Sequence, residues 1–352
     1  MIRVAHVYAA NAASNSGDYM IGLAFKAYFQ EHVLNGAEIE FDDYDCRKQA
    51  LYHGASALSR LNAYDHILVG GGGLILPDSA PNMVSCWQWV ISVEDLSQLT
   101  APIHVLGLGF NVFYGQTMDM PSRSNDARDR RRIPVLTNSL RTLLTKAESF
   151  TMRHKWDVEQ VRKLVGTPVG DRVSHQECAT CWYARKHWLP KMLPARERKY
   201  FAIEVKDDRP QRRYHRIGKA RFYSELLKVV TELLAKGQQV CYLSHDGSRS
   251  FHSYAQTRGM IIPCLLNTSA NETAIRANYN KIHTMLCMAG HSQMIGHNCG
   301  IRTIGLVTHP KVRNYCDDID STDFVMVNNH CKPSELSAAV LAKLPTLSGR
   351  MR

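Results

Sequence analysis

The chain alternates between two hydrophobic periods. Short apolar runs of four to eight residues predict buried strands, and stretches with apolar residues three or four apart predict amphipathic helices. In the first half, strands are expected at residues 2–8, 37–41, 66–69, 103–106, 149–152 and 167–169. Helices are expected after Asp18, where Ile21, Leu23, Ala24, Ala27, Tyr28 and Phe29 share a face, and at 83–99, 139–146 and 156–165. The second half repeats the pattern. Strands are expected at 200–205, 240–244, 260–263, 285–288, 303–307 and 324–327, and helices at 222–236, 270–281, after His291 as far as Gly300, and at 334–344. Such alternation predicts an α/β fold of two Rossmann-like, doubly wound domains, with a ligand cleft between them lined by strand C-terminal loops.

Residues 175–198 interrupt the alternation with two tryptophans, two prolines and a basic tail. They are read as the crossing between domains. The expected organisation is therefore residues 1–175, a crossing at 176–198, and residues 199–352. The crossing holds Cys178 and Cys181, but one Cys-x-x-Cys pair without a second is a weak metal signal, and no metal is expected. Residues 115–134, rich in Arg, Asp, Ser and Pro, read as an irregular loop.

Charge sharpens this picture. The net charge of +11 is concentrated in residues 120–220, with 24 Lys and Arg against 11 Asp and Glu, whereas residues 1–119 carry 5 against 12. A cationic middle third favours anionic ligands, and peripheral contact with an anionic membrane is compatible with it. Nucleic acid is not expected, since the basic residues are not interleaved with stacking aromatics. No apolar run approaches the roughly 20 residues of a membrane span. The N-terminus lacks the apolar centre of a signal peptide. The ten cysteines are scattered, several within apolar runs, which suits reduced thiols and a cytoplasmic location.

Candidate chemistry lies at the ends of the predicted strands. A strand–helix–strand unit over 284–313 puts His291 and Lys311 on one edge of a sheet, an imidazole that titrates near neutrality beside an ammonium. Asn15, Ser16, Gly17 and Asp18 follow the first strand and can offer backbone N–H groups to an anion or sugar, although a helix N-cap is the commoner role of an Asp such as Asp18. Gly71, Gly72 and Gly73 belong to a four-glycine strand end that is neither a dinucleotide fingerprint nor a Walker loop. Arg153 ends another strand. Arg209 sits in a basic loop after residue 205, and His245-Asp246 ends the strand at 240–244.

In their order and spacing these stretches resemble the polysaccharide pyruvyltransferase family: Asn15-Ser16-Gly17-Asp18, ILVGGGGL at 67–74, LGLGF at 106–110, SFTMR at 149–153, His245-Asp246, and 289–311. The resemblance implies two Rossmann-type domains similar to the two-domain, GT-B-like glycosyltransferase fold. It implies transfer of a pyruvyl group from phosphoenolpyruvate to a sugar or carrier-linked saccharide, closing a cyclic ketal, without metal or cofactor. It also implies catalytic roles for Arg153, His291 and Lys311, with the glycine loops on the acceptor side. The chain departs from the family twice. Ala289-Gly290-His291 stands where the family has Arg-Leu-His, and Arg153-His154 where it has Arg-Asp. A nucleotide-sugar glycosyltransferase and a non-catalytic binding relative are the alternatives that the same architecture admits.

Overall fold

The computed structural model describes residues 1–10, 15–76, 82–113, 127–267 and 271–344. It divides into two compact units, Met1–Ala12 with Asp18–Tyr183, and Ala13–Gly17 with Ala184–Arg352. Among the described residues no helix is long and apolar enough to cross a membrane.

The first unit is built on a six-stranded sheet of β1 (Ile2–Tyr8), β2 (Ile39–Asp45), β3 (His66–Gly70), β4 (Ile103–Leu108), β5 (Ala147–Met152) and β6 (Ser174–His175). The strand order is β2-β1-β3-β4-β5-β6, and every pairing is parallel. The second unit carries β7 (Tyr200–Ile203), β8 (Val240–Ser244), β9 (Cys264–Leu266), β10 (Ile282–Cys287), β11 (Arg302–Val307) and β12 (Phe324–Met326), in the order β12-β11-β10-β7-β8-β9, again all parallel. Strand order reverses at β1/β3 and at β7/β10. Right-handed crossovers from such a reversal put helices on both faces of a sheet, and open α/β sheets commonly bind ligands at the strand C-termini beside it. The central strands read as continuous apolar runs because both faces are covered. All five residues of β8 are buried. Each unit has its own core, one around Trp87, Trp89, Leu140 and Phe150, the other around Phe222, Tyr242, Phe251 and Leu286.

Several expected elements fall elsewhere. Residues 37–41 give way to β2 at Ile39–Asp45, an edge strand whose acidic residues mask its period. The helix expected over 83–99 is only Val93–Ser97, capped by Ser92. Before it, Asn82 and Ser85 hold a compact turn by accepting and donating to backbone groups up to Trp89. Residues 167–169 are not a strand: Pro168 caps a short helical turn, Val169–Arg172. The strand expected at 260–263 is β9 at Cys264–Leu266. Of the irregular loop expected at 115–134, residues 127–134 begin the helix Ala127–Lys146, and the rest lies outside the described residues.

Much of the basic middle is structural. Arg172 donates to the carbonyls of Leu144, Thr145 and Ala147, closing the end of the helix Ala127–Lys146, where a cation also opposes the helix dipole. Arg198 does the same for Cys299 and Gly300. These guanidiniums serve backbone oxygens, so the regional charge overstates what a ligand would meet.

The C-terminal helix Glu335–Ala342 is fastened by Glu225. Its carboxylate accepts from the backbone N–H of Ser334 and Ser337 and from the Ser337 hydroxyl, and it pairs with Lys228 at 2.6 Å. Burial opposes ionisation, but these donors outweigh it and hold the carboxyl at about 2. A depressed carboxyl stabilises the fold above its ordinary pKa near 4.5, and that contribution fades as pH falls towards about 2. Glu225→Gln is therefore expected to melt earlier at pH 6, by about 1–3 kcal/mol, and to converge with the parent at pH 2–3. Parallel melting curves at both pH values would show that the carboxylate carries no such linkage.

Candidate active site

A cluster of titratable groups in the second unit lies at the C-terminal edge of its sheet, around the β7/β10 reversal. β7 runs on into Glu204, Val205 and Lys206. Glu204 is fully buried and accepts from the backbone N–H groups of Met288 and Ala289, both at 2.8 Å. It thus ties the end of β7 to the turn that starts the helix Gly290–Asn298. Burial pushes its carboxyl up to about 7, the largest of several opposing influences, with the Lys206 ammonium pulling it back.

Lys206 forms a short ion pair with Asp246, just beyond β8. Arg213 is buried and forks onto the Asp208 carboxylate, with Nη2 at 2.7 Å. Burial works against the charge of Asp208, yet Arg213, Lys206 and Lys311 outweigh it and hold the group at about 2. Lys311 lies in the first turn of the helix Pro310–Asp318, beyond β11. His309 caps that helix by accepting from the Lys311 N–H at 3.2 Å. This helix was not expected, although Pro310 at its first position is its sequence signal.

His245 is buried, and its ring faces residues 15–17, which belong with this unit. The Ser16 hydroxyl lies 3.0 Å from His245 Nδ1 and 2.9 Å from the His245 carbonyl oxygen, to which it donates. Burial first, then the ammoniums of Lys206 and Lys311, keep this imidazole neutral, with its pKa well below the ordinary value. Gly17 explains how two rings fit. A Cβ there would stand 2.7 Å from His291 Nδ1 and 2.8 Å from His245 Nε2, closer than any side chain tolerates. Both imidazoles therefore converge on the α-carbon of Gly17. Asn15 shapes this approach by accepting the Gly17 N–H at 2.9 Å, a turn mimic typical of Asx residues.

His291, Lys311, His245, Asn15 and Gly17 are thus brought to one edge of one sheet. Arg209 starts the turn Pro210–Arg213, in a left-handed conformation with φ 54°. Glu204 and Asp208 were not singled out as site residues, and Lys206 only as the start of the basic loop after residue 205. Glu204 carried a readable signal, an acidic residue inside an apolar run. Ser16 and His245 each belonged to a candidate strand end, but nothing in the sequence paired them across 229 positions.

The remaining candidates lie in the first unit. Arg153, at the end of β5, is only 2% exposed in its side chain, donates to Asn111 Oδ1 at 2.7 Å and lies 3.8 Å from Asp157. Its guanidinium covers Gly109, and the Asn111 amide occupies the space over Gly73, where no Cβ would fit. Gly71 and Gly72 turn with positive φ, and Gly71 is packed against Ile21 and Phe25. In this structure the glycine loop is filled from within the protein. Asp18 faces the Tyr8 hydroxyl together with Asp43 and Asp45, which, after burial, keep that phenol protonated. Arg153→Lys is expected to lose the planar fork over Gly109 and to lower the melting free energy by about 1.5–3 kcal/mol. An unchanged melting curve with weakened donor binding would instead assign Arg153 to the ligand.

No protein-family model and no curated protein matches the chain. Among solved structures, it is similar to a protein assigned as a UDP-N-acetylglucosamine 2-epimerase from Listeria monocytogenes, at 11% identity over 97% of this chain and 87% of that one, with a TM-score of 0.55. It is also similar to the UDP-GlcNAc 2-epimerase of Methanocaldococcus jannaschii in complex with UDP-GlcNAc and UDP, at 9% identity over 98% and 92%, with a TM-score of 0.51. At such identities the likeness shows the fold, which is the architecture of two Rossmann-like domains expected from the sequence.

Proposed function

We propose that this chain is a sugar-modifying transferase that holds a phosphate-bearing donor at the C-terminal edge of its second sheet. One observation carries the reading. Lys206, Lys311, His245 and His291 converge where the nine-residue helices Gly290–Asn298 and Pro310–Asp318 begin. Helix N-termini and ammoniums together favour a phosphate, and imidazoles can exchange protons with the reacting groups. His291 is assigned proton transfer and Lys311 the donor phosphate. The acceptor is a sugar or a carrier-linked saccharide.

The favoured donor is a nucleotide sugar. The fold shared with proteins named for UDP-GlcNAc supports this choice, and a two-lysine edge suits a diphosphate. Phosphoenolpyruvate is the second reading, favoured by a specific observation. The two residues of the second unit to which the pyruvyltransferase resemblance gives catalytic roles, His291 and Lys311, do lie at one edge, and Lys311 Cδ would be 3.4 Å from a Cβ at Gly290. A thermal-shift series with UDP, UDP-GlcNAc and phosphoenolpyruvate decides between them. A ligand at 100 times its dissociation constant adds about 2.7 kcal/mol. The stabilising donor is then tested for release of UDP or of inorganic phosphate when an acceptor is added. Stabilisation by none of the three would overturn the reading.

A further inference from the structure

The contact between Ser16 and His245 has a consequence for proton transfer. A serine hydroxyl has one proton. The Ser16 hydroxyl donates to the His245 carbonyl oxygen at 2.9 Å, beside the Ser16 backbone N–H, which donates to the same oxygen at 3.2 Å, so the hydroxyl proton is directed there. The Ser16 hydroxyl oxygen lies 3.0 Å from His245 Nδ1 and has only lone pairs left for it. Nδ1 must therefore carry a proton and donate it to Ser16. The neutral ring then has its lone pair on Nε2, the nitrogen that converges with His291 Nδ1 on the α-carbon of Gly17.

We propose that His245 Nε2 is the base that takes the proton of a ligand hydroxyl, and that Ser16 is a positioning residue that fixes its tautomer. The inference rests on the transferase reading for the identity of the ligand alone. In the step, the hydroxyl proton passes to Nε2 as the hydroxyl oxygen bonds to the donor carbon. The bond from that carbon to the phosphate oxygen breaks, and its electron pair leaves with the phosphate. His245 becomes an imidazolium and later releases the proton to solvent or to the product phosphate.

The charged groups facing the ring are Lys206 and Asp246, beyond β7 and β8, and Lys311, beyond β11, with His291 across Gly17. Burial first, and then the two ammoniums, make the ring a weak base. A phosphate held by them would oppose their charge and raise the basicity of the ring as the donor binds. The base would thus strengthen when its substrate is in place.

The test is long-range 1H–15N correlation of the imidazoles in the 15N-labelled full chain, with His245 assigned by the signals lost in His245→Gln. The expected result is a neutral ring protonated at Nδ1 in the parent and in Ser16→Thr, and a shift towards the Nε2-protonated form in Ser16→Ala. Addition of UDP should move the His245 titration to higher pH. With whichever of UDP-GlcNAc or phosphoenolpyruvate turns over, Ser16→Ala should lower kcat about 10–100-fold with little change in KM, and Ser16→Thr should restore it. A parent ring protonated at Nε2, or a tautomer indifferent to Ser16→Ala, overturns the inference whatever the donor. The spectra need no turnover, so failure of both donors would count against the transferase reading and leave the Ser16–His245 result to be judged by itself.

Discussion

His291→Gln is expected to lower turnover of the phosphate-bearing donor by about 10²–10⁴-fold, the usual contribution of a positioned acid or base. The fold should stay intact. His291 sits half-buried in the first turn of the helix Gly290–Asn298, and the turn before it is held by the bonds of Met288 and Ala289 to Glu204, which the substitution leaves in place. Glutamine keeps a hydrogen-bonding group near Gly17 but cannot exchange a proton. Donor affinity should change much less than in Lys311→Ala, because the proposed function gives the donor phosphate to the lysine. The measurements are initial rates and donor affinity beside a melting curve for each variant. Near-normal turnover in His291→Gln would reduce the residue to a helix-start side chain and remove proton transfer from its role.

Gly17→Ala is the second change with a large expected effect. The added methyl group would enter the 2.7–2.8 Å approach of two imidazole nitrogens. Neither ring can yield easily. His245 is buried and tied to Ser16 on both its ring and its carbonyl, and His291 starts a helix pinned from β7. Overpacking of this kind costs about 1–3 kcal/mol in stability. The catalytic cost should be larger, since a displacement of roughly 1 Å in a reacting group can cost about 10²-fold. The expected result is a folded protein with a slightly lower melting temperature and turnover reduced at least 10²-fold. Wild-type turnover in Gly17→Ala would mean that the two rings are free to move apart and that their convergence is not functional.

These two residues also show how far the sequence could be read. His291 and Lys311 were legible together because the parallel strand–helix–strand rule sends successive strand ends to the same edge. Gly17 was legible as a candidate, but for a different reason. It was expected to offer backbone to a ligand, whereas in the structure it makes room for two imidazoles. The glycines at 71–73 were likewise read as open to a sugar, and Ile21, Phe25 and Asn111 occupy their surroundings. Sequence shows that a backbone must be approached closely, but not by what.

What the sequence by itself determined is the architecture: two parallel sheets with helices between the strands. Strands covered on both faces are apolar along their whole length, and such runs announce themselves locally, so Ile2–Tyr8 and Val240–Ser244 lie at their expected bounds. Elements whose bounds depend on partners were less legible. They include the acidic edge strand Ile39–Asp45 and the helix Val93–Ser97, shortened by a turn that Asn82 and Ser85 hold together. Only the tertiary structure decided which charges are spent inside the protein. Arg172 and Arg198 close helix ends, Arg153 spans Asn111 and Asp157, and Lys206 pairs with Asp246, while Lys206 and Lys311 both act on His245. The pairing of Ser16 with His245 crosses 229 residues. Hydrophobic period is a property of neighbours along the chain, whereas a tautomer or a buried ion pair is a property of neighbours in space.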